Sequence, residues 1–247
     1  MKNYYFISDA HFGAHNQKLE FKKLNRLFSF FEHIQKAESH LFILGDFFDV
    51  WFEYKNAVPN RHFRLLNELF KLIENGIKVD FVAGNHDYWL HDFLEREIGL
   101  RIHQRPIDIN LDGNRFFIAH GDGLIKSQRT SRLLSYITKH PINIYLYRLL
   151  PPDLAIPLAA FCSKLSRGDT AKSPKKHRQH GNFEKFALNK LVNGFDGVIL
   201  GHTHKPALLH FNDKSYLNTG DWVYHFSYGM LKNGKLSLNY WNNELAE

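Results

Sequence analysis

Short apolar runs that end abruptly in a cluster of Asp, Asn or His recur five times along this chain, and few folds accommodate that pattern. Residues 79–82 form one such run, which the sequence predicts to be a buried parallel strand, and Gly84-Asn85-His86-Asp87 follows it. The other four clusters are Asp9-Ala10-His11, Gly45-Asp46-Phe47-Phe48-Asp49, His120-Gly121-Asp122 and Gly201-His202-Thr203-His204. Loops at strand ends carry the ligand-binding groups of α/β proteins, so the five clusters are candidates for one site.

Predicted strands and amphipathic helices alternate through the first half of the chain. The strands cover residues 4–8, 41–44 and 78–83, and the helices between them cover residues 19–35 and 61–74. This alternation is typical of right-handed βαβ units in a parallel sheet, so we expect an α/β fold. The second half begins with a predicted hairpin at residues 107–111 and 115–119. Further short strands are predicted at residues 198–200, 207–211, 215–217, 225–230 and 235–240.

Length and composition fit one large α/β domain, or one domain with a substantial insertion. The chain has 247 residues, of which 44% are hydrophobic and 23% charged, as in a globular protein with a full core. Its single cysteine, Cys162, excludes an intramolecular disulfide and a Cys-based zinc site, and it fits a reducing cytosol. The sequence shows no signal peptide and no apolar run of about 20 residues that could span a bilayer, so we expect a soluble or peripheral protein.

The excess positive charge lies in one segment, residues 123–181, which holds eleven Lys or Arg residues against two Asp residues; the whole chain carries +7. Such a patch suits an anionic partner. Three short helices with heavily apolar faces are predicted there, at residues 130–139, 142–150 and 153–166, separated by His140-Pro141 and Pro151-Pro152. Two interpretations stay open: a helical cap packed on its own core, or a groove for an apolar ligand.

The polar clusters offer seven side chains that suit a divalent transition metal: two carboxylates, one amide and four imidazoles. They are Asp9, His11, Asp46, Asn85, His120, His202 and His204. Seven groups are too many for one ion, whereas two ions about 3.5–4 Å apart and bridged by a carboxylate would use them all. Such a pair clamps a phosphoryl group and makes a bound water acidic. The pattern therefore predicts a dimetal hydrolase.

Together the five clusters resemble the five sequence blocks of the calcineurin-like metallophosphoesterases, and they span nearly the whole chain. The resemblance implies a four-layer αββα sandwich in a single domain of residues 1–247, with residues 123–181 inserted as a helical lid. It implies that Asp9, His11 and His204 hold one metal ion, that Asn85, His120 and His202 hold the other, and that Asp46 bridges them. His86 would steady the transition state or protonate the leaving oxygen, and Asp49 would orient its ring.

Within that family the chain resembles the UDP-2,3-diacylglucosamine hydrolases of lipid A synthesis. This resemblance rests on residues 46–51, on the place and length of the insertion, and on Asn218-Thr219-Gly220-Asp221-Trp222. It implies cleavage of UDP-2,3-diacylglucosamine into UMP and a diacylglucosamine 1-phosphate, by a cytoplasmic enzyme peripheral to the inner face of the inner membrane. The implied cofactor is a pair of divalent ions, Mn²⁺ before Fe, Zn or Co. The implied substrate contacts are Asn85, His86, Gln128, Ser166, Arg167, Thr170, Lys172 and His202.

Two residues differ from the better-known members of that group: His86 stands where they have Arg, and Asp49 stands where they often have Glu. His86 and Asp49 are instead the pair found in phosphoesterases generally. They keep a second interpretation open, which is a phosphoesterase for another phosphate mono- or diester, such as a nucleotide or a lipid phosphate. A third interpretation is a non-catalytic module that binds nucleic acid or membrane. It predicts missing metal ligands and a stacking surface of aromatic and basic residues, whereas all seven ligands are present and the insertion is rich in leucine, so we expect no nucleic acid partner.

Overall fold

The computed structural model describes residues 2–90, 92–125, 140–168 and 175–241, without the side chains of residues 165–180. Within these ranges the chain forms two β-sheets flanked by helices. The helix predicted at residues 130–139 lies outside the described residues. No helix in the described ranges is long and apolar enough to cross a membrane.

The first sheet contains six strands, four of them parallel. They are β1 (Asn3–Ile7), β2 (Ser39–Ile43), β3 (Lys78–Val82), β4 (Arg101–His103), β10 (Ser227–Lys232) and β11 (Lys235–Tyr240). Their order is β11-β10-β1-β2-β3-β4, in which β1 to β4 run parallel and β10 and β11 join antiparallel. Because the carboxyl ends of parallel strands share one edge of a sheet, the loops after β1, β2 and β3 come together.

The second sheet contains five strands of mixed direction. They are β5 (Ile107–Leu111), β6 (Asn114–Ala119), β7 (Gly197–Leu200), β8 (Ala207–Phe211) and β9 (Lys214–Asn218), in the order β5-β6-β7-β9-β8. β6, β7 and β9 are parallel, whereas β5 and β8 pair antiparallel with β6 and β9. The loops after β6 and β7 therefore lie side by side, and they carry the fourth and fifth polar clusters.

Five α-helices, a 3₁₀ turn and a short π-helix complete the described chain. The α-helices are α1 (Gln17–Ile34), α2 (Phe63–Glu74), α3 (Pro141–Arg148), α4 (Pro152–Gly168) and α5 (Lys175–Val192). The 3₁₀ turn is Asn60–His62 and the π-helix is Leu94–Ile98. α1 begins at Asn16, whose side chain accepts a hydrogen bond from the Leu19 N–H. α3 begins with a proline in its first turn, where a helix needs no N–H donor.

The strand residues alternate between two cores, one on each face of the first sheet. In β1, Tyr5 and Ile7 pack with α1 and α2, whereas Phe6 packs between the two sheets. A third core holds α5 against the outer face of the second sheet through residues that include Phe183 and Leu191. The layers therefore run helix, sheet, sheet, helix, and the αββα sandwich expected from the sequence is confirmed.

The predicted elements in the described ranges agree with the structure to within one or two residues at each end. Three elements were not predicted: β4, the π-helix and α5. α5 begins at Lys175 and continues to Val192, so the expected end of the insertion at residue 181 falls inside a helix. The last turns of that helix belong to the packed core of the second sheet, which is why the helix does not stop at the boundary.

Candidate dimetal site

The five polar clusters meet on loops at one edge of the two sheets. Seven of their side chains form three overlapping groups. Within each group the candidate ligand atoms all lie within 4.8 Å of one another. The groups are Asp9 with His11 and His204, His11 with Asp46 and His86, and Asp46 with His120 and His202. Six of the seven metal ligands expected from the sequence are among them.

The first group gathers around one oxygen of Asp9. His204 Nε2 lies 3.4 Å and His11 Nε2 lies 4.0 Å from Asp9 Oδ1, and the two ring nitrogens are 3.4 Å apart. Asp9 Oδ2 points the other way, because it accepts a hydrogen bond from the His202 N–H at 2.8 Å and another from the Ser8 hydroxyl. The Asp9 carboxylate is thus held by one oxygen and offers the other to the site.

His120 and His202 gather around one oxygen of Asp46, and with Asp46 they form what we call the second group. His120 Nε2 lies 3.3 Å from Asp46 Oδ2, and His202 Nδ1 lies 3.1 Å from His120 Nε2. The same Asp46 oxygen lies 3.8 Å from His11 Nε2, in the first group. The carboxylate of Asp46 therefore stands between the two groups, as a bridging ligand would.

Strained backbone is concentrated at these residues. Nine non-glycine residues of the described chain have positive φ, and five of them belong to the two groups. These five are Asp9 (φ 53°), His11 (φ 45°), Asp46 (φ 50°), His202 (φ 67°) and His204 (φ 56°). Such conformations cost energy for residues with a side chain, and they persist where the surrounding structure imposes them, typically at functional sites. Here they turn the side chains sharply from the strand ends toward one another.

The donor set fits a cation between Asp46 and His120. The Nδ1–H of His120 donates to the Leu44 carbonyl oxygen at 2.8 Å, so in the neutral ring Nε2 carries a lone pair. That lone pair faces the Asp46 carboxylate, and two acceptors at 3.3 Å repel each other unless a positive charge lies between them. Burial lowers the pKa of His120, but the charge of Asp46 outweighs burial and holds the pKa well above its usual range. The same negative charge of Asp46 would attract a metal ion to this position.

Asp9 gives a second sign that the site suits a cation. Its side chain is fully buried, and Oδ1 has no hydrogen-bond partner among the described residues. Burial raises the pKa of Asp9, against the lowering influence of His204 and His120. An ionised carboxylate oxygen without a hydrogen bond is costly in a protein interior, and a metal ion removes that cost. Carboxylates together with imidazoles suit divalent transition metals, so the residues fit a metal pair.

Asn85 and His86 lie on the loop after β3, beside the two groups. Asn85, the seventh expected ligand, is exposed on this loop. His86 Nε2 lies 4.0 Å from Asp46 Oδ2, and the rings of His86 and His11 meet edge to face with centroids 4.8 Å apart. His86 therefore stands where its Nε2 can reach a metal ion or a phosphoryl group held beside Asp46.

Asp49 approaches His86 mainly through its backbone. The Asp49 carbonyl oxygen lies 3.0 Å from His86 Nδ1, whereas the carboxylate Oδ1 is 3.7 Å away, too far for a hydrogen bond. The carboxylate instead accepts a hydrogen bond from Ser163 Oγ at 2.7 Å. Ser163 belongs to α4 and was not predicted as a site residue; nothing in its sequence context marks it. The contact connects the insertion with the loop after β2.

Asp87 ties two of the metal-site loops together from beneath. Its carboxylate accepts hydrogen bonds from the backbone N–H groups of Gly84 (2.9 Å), Asp46 (3.1 Å) and Phe47 (2.7 Å). Burial and the nearby charge of Asp46 raise the pKa of Asp87 to about 6. Gly84 is required at this crossing, because a Cβ there would lie 2.2 Å from Asp46 Oδ1. Asp87 belongs to one of the five polar clusters, but its sequence context indicated no role for it.

The insertion presents an apolar surface beside the site. α3 has no buried residue, and Tyr147 packs its ring on Phe52 (centroids 4.7 Å apart) and Trp89 (4.8 Å). The large apolar side chains that remain exposed on α3, α4 and the turn between them are Ile142, Tyr145, Leu146, Leu149, Leu150, Leu154, Leu158 and Phe161. We call these eight residues the apolar face. Of the expected substrate contacts in or near the insertion, Gln128, Ser166, Arg167, Thr170 and Lys172 lie outside the described residues or side chains.

A polar cavity of about 240 Å³ opens next to His120. Gln104, Arg105 and Asp122 line it, together with residues that include Val82 and Leu124. The cavity has an amide, a guanidinium and a carboxylate, which are the groups that bind polar ligands in a specific orientation. The two flanks of the metal site are thus unlike: polar beside His120 and apolar beside His86.

Comparison with known proteins assigns the family. The model of the calcineurin-like phosphoesterase family matches residues 3–206, and the chain belongs to this family. Members of the family use a dimetal centre. The chain is therefore a metallophosphoesterase, that is, a hydrolase.

Its curated relatives carry a more specific name. A UDP-2,3-diacylglucosamine hydrolase of Porphyromonas gingivalis is 31% identical over 246 residues, which cover 92% of each chain. The protein of the same name from Edwardsiella ictaluri is 30% identical over 84% of this chain and 78% of its own length. Among solved structures, an archaeal phosphodiesterase superposes with a TM-score of 0.48 at 16% identity, over 96% of this chain and 99% of that one. A likeness that distant says nothing about the substrate.

Proposed function

We propose that this enzyme hydrolyses the pyrophosphate of UDP-2,3-diacylglucosamine, by attack of water at the α-phosphorus, and releases UMP and 2,3-diacylglucosamine 1-phosphate. The observation that carries the proposal is the apolar face, which lies beside a metal site suited to phosphoryl groups. The names of the relatives at 30–31% identity support the same substrate. An enzyme for small soluble esters needs no such face, because an exposed apolar surface of this extent normally marks a binding site.

The two flanks of the metal site match the two ends of this substrate. The acyl chains would lie against the apolar face, near Leu149 and Leu158, which are 64% and 48% exposed. The uridine would enter the polar cavity lined by Gln104 and Arg105. The pyrophosphate then crosses the metal site between them. This orientation leaves UMP on the His120 side and the lipid phosphate on the His86 side.

Each side chain of the centre has a proposed role. Asp9, His11 and His204 would hold one ion, His120, His202 and Asn85 would hold the other, and Asp46 would bridge them. When bound, two divalent ions would supply an acidic water and neutralise charge on the phosphoryl oxygens. Mn²⁺ is the first candidate, although the donor set accepts Fe, Zn or Co equally well.

The residues around His86 would act on the leaving side of the reaction. The Asp49 carbonyl oxygen accepts the Nδ1–H of His86, which fixes the ring and leaves Nε2 directed toward the phosphoryl group. A second proton at Nε2 would pass to the oxygen that leaves the α-phosphorus, or would stabilise the charge that develops there. The apolar face next to this position would keep water from the lipid phosphate.

We also propose that the enzyme acts at the cytoplasmic face of the inner membrane as a peripheral protein. Its substrate would reside in that bilayer, and the apolar face combined with the basic charge of the insertion suits an anionic lipid surface. A second candidate function is hydrolysis of a different phosphate mono- or diester. The histidine at position 86 favours it, because the resemblance to the lipid A enzymes predicts arginine there.

One experiment separates the two candidates. The purified enzyme is incubated with Mn²⁺ and UDP-2,3-diacylglucosamine, and in parallel with bis(p-nitrophenyl) phosphate, in water enriched in ¹⁸O. We expect rapid release of UMP that carries ¹⁸O, because water attacks the α-phosphorus, and slow cleavage of the diester. Diester cleavage without release of UMP would reject the lipid substrate and favour the second candidate. Label in the diacylglucosamine 1-phosphate would instead reject attack at the α-phosphorus.

A further inference from the structure

Ser163 is a polar residue of the insertion that reaches the centre of the enzyme. Two side chains of α4 are buried among those described, Ala155 and Ser163, and the neighbouring Phe161 and Cys162 are exposed. Ser163 Oγ lies 2.7 Å from Asp49 Oδ1 and 3.2 Å from His86 Nδ1. A hydroxyl from a surface helix thus stands between a buried carboxylate and the histidine beside the metal site.

The hydrogen atoms at this contact can be assigned by chemistry. An ionised carboxylate only accepts, so the Ser163 hydroxyl donates to Asp49 Oδ1. The Asp49 carbonyl oxygen, 3.0 Å from His86 Nδ1, also only accepts, so Nδ1 carries a hydrogen. That N–H points at the carbonyl oxygen and at the lone pairs of Ser163 Oγ together. The carboxylate of Asp49 is 3.7 Å from Nδ1, and its influence therefore passes through the serine hydroxyl.

The position of Ser163 depends on how the insertion is seated. The ring of Tyr147 in α3 packs on Phe52 and Trp89, which follow Asp49 and His86 by three residues each. The Tyr147 hydroxyl also donates to the carbonyl oxygen of Ala155 in α4, so the two helices are joined at this seat. The helices that carry the apolar face are thereby fixed to the loops that carry the reacting groups.

We propose that Ser163 is a positioning residue, which holds the His86 ring through Asp49 and couples the seating of the insertion to the leaving-group side of the reaction. The inference deepens the proposed function and depends on it only for the identity of the lipid substrate. A hydroxyl that donates to the carboxylate and accepts from Nδ1–H orients the ring. Without the hydroxyl the ring keeps its backbone contact alone and loses alignment at Nε2.

A double-mutant cycle tests this role. Ser163→Ala, His86→Ala and the double variant are compared with the unaltered enzyme for kcat, KM and metal content, using UDP-2,3-diacylglucosamine and bis(p-nitrophenyl) phosphate. Alanine is the best helix former, so Ser163→Ala keeps α4 intact. We expect Ser163→Ala to lower kcat about ten- to hundredfold, as loss of a supporting hydrogen bond does at metal sites. KM should change by less than about twofold, because ground-state binding is untouched.

Two further results decide the proposal. In the His86→Ala background, Ser163→Ala should cause no additional loss, since the serine acts through the histidine. Ser163→Thr, which keeps the hydroxyl, should restore most of kcat, and Cys162→Ala, the matched change at the exposed neighbour, should have no effect. Equal losses from Ser163→Ala with and without His86, or a fall in metal content, would overturn the proposal. If the unaltered enzyme releases no UMP, the proposed substrate is rejected. The double-mutant cycle measured with bis(p-nitrophenyl) phosphate then still tests the role of Ser163.

Discussion

The loops of the metal site and the helices of the insertion lie side by side, but they are built in opposite ways. In the loops, Asp9, Asp46 and His120 are at most 2% exposed, and Asp9 and Asp46 have left-handed backbone conformations. In α3 and α4, large apolar side chains face outward, with Leu149 and Leu154 more than 60% exposed. The packing of the two sheets behind the loops stabilises their strained conformations. The helices are held in place by a few aromatic contacts.

Under the proposed function, this difference separates the part of the enzyme that would set the chemistry from the part that would select the substrate. Phosphoryl transfer needs charges fixed in a water-poor position, and a rigid sheet edge provides that. Recognition of a lipid needs apolar area that stays accessible until the substrate arrives. A surface helix with an unpacked face provides it, at the expense of local stability. If the two regions separate in this way, substitutions in one should leave the role of the other intact.

Asp46→Ala should have the largest effect, because it removes the carboxylate between the two ligand groups. We expect loss of both metal ions and a fall in turnover of at least about a thousandfold, equivalent to several kcal/mol of lost transition-state stabilisation. Metal content is measured by mass spectrometry beside UMP release. Asp108→Ala, which removes an exposed carboxylate paired with Arg115, is the control. A variant at Asp46 that retained two ions would reject the bridging role.

His86→Ala should have the next largest effect, with a different signature. Loss of a residue that transfers a proton or steadies the transition state lowers turnover about 10²–10⁴-fold. Both metals should remain, because the two ligand groups are complete without His86. Metal content and kcat are measured on one preparation. A parallel fall in metal content would make His86 a ligand, as its place within 4.8 Å of His11 and Asp46 ligand atoms also permits.

His62→Phe should have the smallest effect, on stability rather than on activity. His62 is buried between Phe48 and Trp51, and burial and the charge of Arg61 lower its pKa to about 3. The folded protein therefore holds His62 neutral, while the unfolded chain protonates it below about pH 6.5. Stability is lost as pH falls from 6.5 toward 3. Between pH 7 and pH 5.5, protonation of His62 in the unfolded chain should lower the free energy of unfolding by about 1 kcal/mol.

Urea unfolding at those two pH values measures the effect. The pH dependence of the unfolding free energy should be smaller in His62→Phe by that amount, although phenylalanine also loses the hydrogen bond from Arg61 at both pH values. An unchanged difference between pH 7 and 5.5 would show that His62 becomes protonated within the folded protein.

The sequence predicted the convergence of the polar clusters because strand order and strand direction are local consequences of the βαβ pattern. Once Asp9, Asp46 and Asn85 follow parallel strands, they share one edge of the sheet. The finer contacts had no such signal. Ser163 is 114 residues from Asp49, and no spacing rule connects a serine on a surface helix with a loop in the first half of the chain. The sequence also gave no indication that Asp49 contacts His86 through its backbone carbonyl oxygen.

The missed elements have separate physical reasons. β4 has three residues, too few for an alternation of apolar and polar side chains to appear. The π-helix is a rare element with no sequence pattern of its own. α5 could have been found, since Phe183, Ala187 and Leu191 recur every four residues, but its first turns are basic and polar. In the insertion the helices were predictable, whereas an apolar helical face does not reveal whether it packs or stays exposed.

The division between chemistry and selection is tested most directly by removing part of the apolar face and measuring both kinds of substrate. In the double variant Leu149→Ser and Leu158→Ser, loss of two apolar contacts should lower kcat/KM for UDP-2,3-diacylglucosamine about ten- to hundredfold, whereas the rate on bis(p-nitrophenyl) phosphate should be unchanged. Leu188→Ser, at an exposed leucine of α5, is the matched control and should change neither rate. An equal loss on both substrates would contradict the account, because the insertion would then support the metal site rather than select the lipid.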